Sequence, residues 1–217
     1  RSLRLNGLYD PNQFNTFETR IETGNDPDHV IWNGDRDNAR WEVGGDYTFN
    51  LGSFGKFKSL FVVNQNTEDT EVKRERDYID PRFLYRNEFT DGKLSEKIFR
   101  SSTTVNVIGN QSLEVGGEVA INTFEKIFES FGRDTAAEEL LLGTSSNVDI
   151  KENRYEIFAI HNLNLASKLV LQSSITTEFS KIVADNLFAD GSVDRRDTSF
   201  KYFKPRVNLR YDHTDSD

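Results

Sequence analysis

The feature that most constrains this chain is a strict two-residue alternation. Near the C-terminus FKPRVNLRYD (203–212) sets Phe203, Pro205, Val207, Leu209 and Tyr211 against Lys204, Arg206, Asn208, Arg210 and Asp212. A period of two places the two sets on opposite faces of a strand, and no helix reconciles it. The pattern recurs in RWEVGGDYTF from Arg40, where Trp41, Val43, Tyr47 and Phe49 oppose Arg40, Glu42, Asp46 and Thr48. In SLEVGGEVAIN from Ser112, Leu113, Val115, Val119 and Ile121 oppose Glu114, Glu118 and Asn122. KLVLQSSITTEF from Lys168 aligns Leu169, Leu171, Ile175 and Phe179. Weaker versions at 3–9, 57–65, 99–107 and 155–163 bring the count to eight strands.

Which face meets water is the next question. A soluble sandwich turns its polar face outward, whereas a membrane barrel shows its apolar face to lipid and its polar face to the lumen. The connectors favour the barrel. Tight, Gly/Asn/Ser-bearing turns at 51–55, 108–111 and 163–167 alternate with long polar links near 23–38, 73–96, 131–147 and 184–198. Alternation of short and long links is the habit of outer-membrane barrels, with short periplasmic turns and longer external loops. The expectation is an all-β, antiparallel up-and-down transmembrane β-barrel. Tyr47, Phe49, Phe57, Phe203 and Tyr211 fall near strand ends, where aromatic girdles sit. Pro205 removes a ladder donor and predicts a bulge or the upper end of its strand.

Composition narrows the field further. Charged residues make up 29% and no run approaches the roughly 18 apolar residues of a membrane helix. Seventeen Phe, seven Tyr and two Trp are too many aromatics for a disordered chain. The absence of Cys excludes disulfides and thiol chemistry, and the absence of Met means that residue 1 is no initiator. A net charge of −9 argues against a nucleic-acid partner. The expected inward-facing residues, Arg40, Glu42, Asp46, Glu114, Glu118, Lys204, Arg206 and Arg210, would crowd a narrow dry lumen, because unpaired buried charge is expensive. A wide lumen holding water or a plug suits them better. The ending DHTDSD also lacks the aromatic terminal strand of complete barrels, so a contiguous part of a larger barrel is expected.

The stretches SLRLNGLYD, RWEVGGDYTFNLGSFGKFKSLFVV and FKYFKPRVNLRYD resemble the barrel of TonB-dependent outer-membrane transporters, notably in the KPRVNLRYD strand from Lys204 to Asp212. The resemblance covers most of the chain at the level of its hairpin pattern. It implies a parent barrel of about 22 strands around a plug domain. It further implies a Gram-negative outer membrane, contact with lipid and lipopolysaccharide, and energisation through TonB. The imported ligand would be of the siderophore, cobalamin or oligosaccharide class. This sequence shows no plug and no TonB-contacting box, so what is implied is a stretch of the transporter wall.

Trp32, Tyr78, Phe83 and Tyr85 are candidate ligand-contacting aromatics in the external links. RDTAAEELLLG (133–143) predicts a short helix, with Thr135 and Glu138 at capping-box spacing and Gly143 closing it. Asp26, Asp28 and Asp35 could gather oxygen ligands around calcium, although a solvated acidic loop is the plainer reading. No other metal or cofactor is expected. The histidines, His29, His161 and His213, are dispersed, and His213 with Asp212 and Asp215 belongs to the periplasmic end. GSFGKF (52–57) lacks the Ser or Thr that must follow a phosphate-loop Lys. The expectation is therefore no enzyme. Two alternatives stay open: a self-contained eight-stranded outer-membrane protein for adhesion or envelope integrity, and a soluble carbohydrate-binding β-domain.

Overall fold

The structure, a computed structural model, describes residues 1–22, 28–77, 82–107 and 109–212; of Glu22 and Asp28 only the backbone is described. Eight strands form one antiparallel sheet in sequence order: β1 (Ser2–Glu22), β2 (Asp28–Asn50), β3 (Gly55–Arg76), β4 (Phe83–Val107), β5 (Gln111–Gly132), β6 (Leu141–Ala166), β7 (Leu169–Phe188) and β8 (Val193–Tyr211). Every neighbour in the order is a hairpin partner, the up-and-down arrangement that the alternation demands. The sheet is open, with β1 and β8 as its edges. Among the described residues the only helical element is a single 3-10 turn, Gly52–Phe54, and no helix is long and apolar enough to cross a membrane.

Cross-strand partners share a face, and the register pairs even-numbered residues with even and odd with odd across nearly the whole sheet. The faces therefore keep their chemistry from strand to strand. Trp41, Val43, Tyr47, Leu113, Val115, Val119, Leu169, Leu171, Val207 and Leu209 all lie on the odd face. Three single-residue bulges, at Tyr85, Gly143 and Leu165, locally shift the pairing.

The strands are longer than expected, from 19 to 26 residues. The long links expected at 23–38, 73–96, 131–147 and 184–198 shrink to 23–27, 77–82, 133–140 and 189–192, and the ladder continues through the remainder. A 22-residue strand extends roughly 70 Å, and at a 40° tilt it rises over about 50 Å, twice the roughly 25 Å apolar belt of a membrane barrel. The odd face records this. Its lower half carries the apolar residues named above, while its upper half carries Asp35, Asp69, Lys93, Asp149, Lys151, Lys181 and Asp197. Toward the upper strand ends polar and apolar residues mix on both faces, so alternation fades from the sequence while backbone pairing persists.

Two more expectations change. Residues 133–140 form turns and no helix: Glu138 accepts from the Thr135 and Asp134 N–H groups at 3.1 and 3.0 Å, one half of a capping box, but Leu141 and Leu142 already belong to β6. The turn expected at 163–167 tightens to 167–168, because β6 runs on to Ala166.

Pro205 sits in mid-strand without a bulge, paired with Ile175. Asp212 N–H donates to Lys168 O at 2.9 Å, and ladder bonds recur at every second residue. Even-numbered β8 residues thus bond to β7, and the Pro205 nitrogen faces the open edge. The bond from Asp77 N–H to His29 O fixes the same phase on β2, which turns the Pro11 nitrogen away from its partner Ala39. Both strand prolines occupy positions where the sheet loses no bond.

The turn before β8 carries a pH-dependent contact. Asp190 accepts hydrogen bonds from the Ser192 hydroxyl and backbone N–H at 2.5 and 2.8 Å, and these two, the hydroxyl first, hold its carboxyl below the usual aspartate range. A lowered folded value stabilises the turn above the unfolded pKa and is lost as pH falls through the folded one. Amide exchange at Ser192 is expected to lose protection, relative to neighbouring ladder amides, only as pH falls below the ordinary aspartate value of about 3.9.

Candidate functional site: the charged concave face

Burial shows how the sheet curls. Ala120 (0% exposed), Phe158 (4%), Ser180 (5%), Ser102 (8%) and Glu178 (8%) are buried, and all lie on the even face of β4 to β7, while Ile31, near the upper end of β2, is buried on the odd face. On the odd face Val115 is 48% exposed, Ile157 65% and Val207 70%. A flat sheet would expose both faces alike, whereas a curled one crowds its concave side. The charged face is the concave one, and the apolar face is convex and bare. An exposed apolar band of this extent marks a surface made for a non-aqueous neighbour.

The even face holds all eight residues expected to face inward. Arg40, Glu42 and Asp46 stand on β2, Glu114 and Glu118 on β5, and Lys204, Arg206 and Arg210 on β8. The register adds partners that sequence reasoning missed. Arg100, Glu118, Glu156 and Glu178 form one transverse row over β4 to β7. Three adjacent carboxylates repel unless cations intervene. Arg100 and Arg154 share Glu118 at 3.4 and 3.1 Å, Arg154 also reaches Glu156 at 3.6 Å, and Lys204 closes on Glu178. Two rows above, acid and amide alternate: Glu42, Asn64, Glu96, Asn122 and Glu152. Asn64 donates to Glu96 at 3.0 Å, Asn122 to Glu152 at 2.9 Å, and the Ser180 hydroxyl to Glu152 at 2.8 Å. Above it Leu94, Phe124, Ile150 and Ala184 make an apolar stripe across four strands. Both upper rows lie in segments where alternation fades, so only the register reveals them.

The double glycines serve this face. Gly116 pairs with Phe158, and a Cβ on it would lie 2.5 Å from both the Phe158 ring and the Ser101 carbonyl oxygen. Phe158 therefore lies flat over bare backbone, and the Arg100 guanidinium caps its ring at 4.2 Å. Replacing Glu118 by Ala strands Arg100 and Arg154 together. The side chains are 14–36% exposed, so a loss of about 1–2 kcal/mol is expected in chemical unfolding, less than for a fully buried pair.

The candidate ligand aromatics lie elsewhere than expected. Trp32 is in β2, Phe83 and Tyr85 in β4; Tyr78 lies outside the described residues. Each described ring carries a guanidinium, Arg74 over Trp32 at 4.9 Å, Arg133 over Phe83 at 5.7 Å and Arg76 over Tyr85 at 4.7 Å. Phe83 is also buried, so these rings brace the upper ends of the strands. Asp35 stands on the odd face of β2, opposite Asn15 and Glu71. Asp26, His213, Asp215 and the Asp28 side chain lie outside what is described, and among the described residues no three carboxylates or imidazoles gather to hold a metal. His161 donates to or accepts from Gln111 at 2.9 Å.

No protein-family model matches the sequence, and no curated protein does. Solved structures do match the fold. The ferric citrate transporter FecA in its unliganded form aligns with a TM-score of 0.56 at 12% identity, over 99% of this chain and 34% of that one. The siderophore receptor PiuA from Acinetobacter baumannii aligns with a TM-score of 0.55 at 8% identity, over 98% of this chain and 40% of that one. The fold is that of the barrel portion of TonB-dependent receptors. This chain spans between a third and two-fifths of the length of those receptors.

Proposed function

We propose that this chain is a stretch of the wall of a TonB-dependent importer in a Gram-negative outer membrane. The observation that carries this reading is the coincidence of curvature and chemistry: the charged face is concave and the bare apolar face convex. A soluble β-domain that binds carbohydrate would require the opposite placement. The apolar belt sits in lipid, with lipopolysaccharide around its upper margin. The even face borders a hydrated lumen, where its charge pairs meet a plug supplied by the parent chain. The strand ends above the belt, carrying Trp32, Phe83 and Tyr85, stand outside the cell and make first contact with ligand. Ferric chelates are the class to test first, since FecA is named as a ferric citrate transporter and PiuA as a siderophore receptor. Cobalamin and oligosaccharide follow.

Proteolysis on intact cells tests the orientation. Cleavage within 133–140 and 189–192, with the 51–54 turn protected until the outer membrane is permeabilised, is the expected pattern. The reverse pattern would contradict it. Equilibrium binding of a ferric siderophore to the lipid-reconstituted parent, absent for the iron-free chelator, tests the ligand class.

A further inference from the structure

We propose that the lower end of the concave face, between β1 and β3, docks an extended acidic polypeptide segment. A hollow of about 460 Å³ opens there, and Arg1, Arg4, Lys56 and Lys58 line it against a single carboxylate, Asp46. Arg1 leans on the Phe49 ring at 4.9 Å. The side chains of Arg4, Lys56 and Lys58 make no hydrogen bond or ion pair among the described residues, although the chain carries 36 acidic residues and 27 basic ones. The contrast with the middle of the same face is sharp, since Arg100, Arg154 and Lys204 there are each paired with glutamate.

Cations held close without counter-charge repel one another, and an anion relieves that cost. The layout selects the kind of anion. Lys56 and Lys58 are alternate residues of β3, so they project from one face about 7 Å apart. An extended peptide presents carboxylates of residues i and i+2 at that same spacing, whereas one phosphate spans only one of the lysines. Arg4, one register row beyond Lys58, extends the cationic track onto β1. Ser2, Thr48 and Asn50 add neutral partners for the peptide backbone. The inference concerns charge on one face and holds whatever that face encloses.

The test uses the full chain in lipid nanodiscs and fluorescent nonapeptides of Gly and Ser, with Asp or Asn at alternate positions. The Asp peptide should bind and weaken steeply as salt rises, because the contacts are exposed to screening. The Asn peptide should not bind. Substituting Lys56→Gln with Lys58→Gln should weaken the Asp peptide at least tenfold, and Arg4→Gln severalfold. Lys93→Gln with Lys97→Gln, on the other face, should change nothing. Equal binding of the two peptides, or no loss in the Lys56/Lys58 variant, would overturn the proposal. Displacement by inorganic phosphate at the peptide's own concentration would replace it with a small-anion site. Failure of the chain to enter nanodiscs would strike at the membrane reading instead, and the peptide titration would then be run in detergent-free buffer.

Discussion

Val115→Arg is expected to destabilise the lipid-inserted protein by about 2–4 kcal/mol, the cost of an arginine near the middle of a barrel's lipid face. Val115 lies on the convex side of central strand β5, 48% exposed, with Thr103 and Ala159 as register partners. No carboxylate flanks it on that face, so the guanidinium must either drag water into the belt or reach for the interface. Glu114→Gln, one residue away on the charged side, is expected to change stability by less than about 1 kcal/mol, because its face is already hydrated. Reversible unfolding from detergent or lipid, followed by tryptophan fluorescence, reads both variants. The difference between adjacent residues is the diagnostic quantity, since any account that places both faces in water predicts similar values.

Gly116→Ala should cost about 3 kcal/mol, near the upper end of what overpacking does. The new methyl would overlap the Phe158 ring, which could swing away only by leaving its 4% exposed site and the Arg100 cap, and the Ser101 carbonyl, which belongs to the ladder and cannot move alone. Gly117→Ala is expected to be milder, because its Cβ would approach only the Glu156 carbonyl oxygen, at 3.1 Å. Combining Gly116→Ala with Phe158→Ala should be less damaging than the sum of the two, since the ring clash disappears while the backbone clash remains. Thermal unfolding of the four proteins gives that coupling directly.

The strands were legible wherever neighbouring residues alternate between apolar and polar side chains. Trp41 to Phe49, Leu113 to Ile121 and Phe203 to Tyr211 could be assigned to faces from alternation alone, and the register agrees residue by residue. Toward the upper strand ends that alternation fades. Segments such as DRDN (35–38) and TSSN (144–147) read as loops because polar residues occupy both faces, yet the backbone goes on pairing. The charged face was legible as a set of eight residues but not as a network. Glu156 and Glu178 come into line with Glu118 only through the register of three strands, which no single sequence window contains. The helix expected at 133–143 failed for a related reason: Leu141 and Leu142 read as a helical apolar run, but each has a strand partner on β5. Pro205 was misjudged because edge position and hydrogen-bond phase, rather than proline content, decide whether a ladder tolerates the ring.

Nitroxide labels placed in pairs at 42 and 43, 114 and 115, and 206 and 207 address the membrane reading most directly. For the lipid-reconstituted chain, the odd member of each pair should be relaxed strongly by oxygen, which concentrates in acyl chains, and weakly by a water-soluble nickel chelate. The even member should show the reverse. Odd positions open to the nickel chelate and shielded from oxygen would place the apolar face in water, and the transporter-wall account would not survive that result.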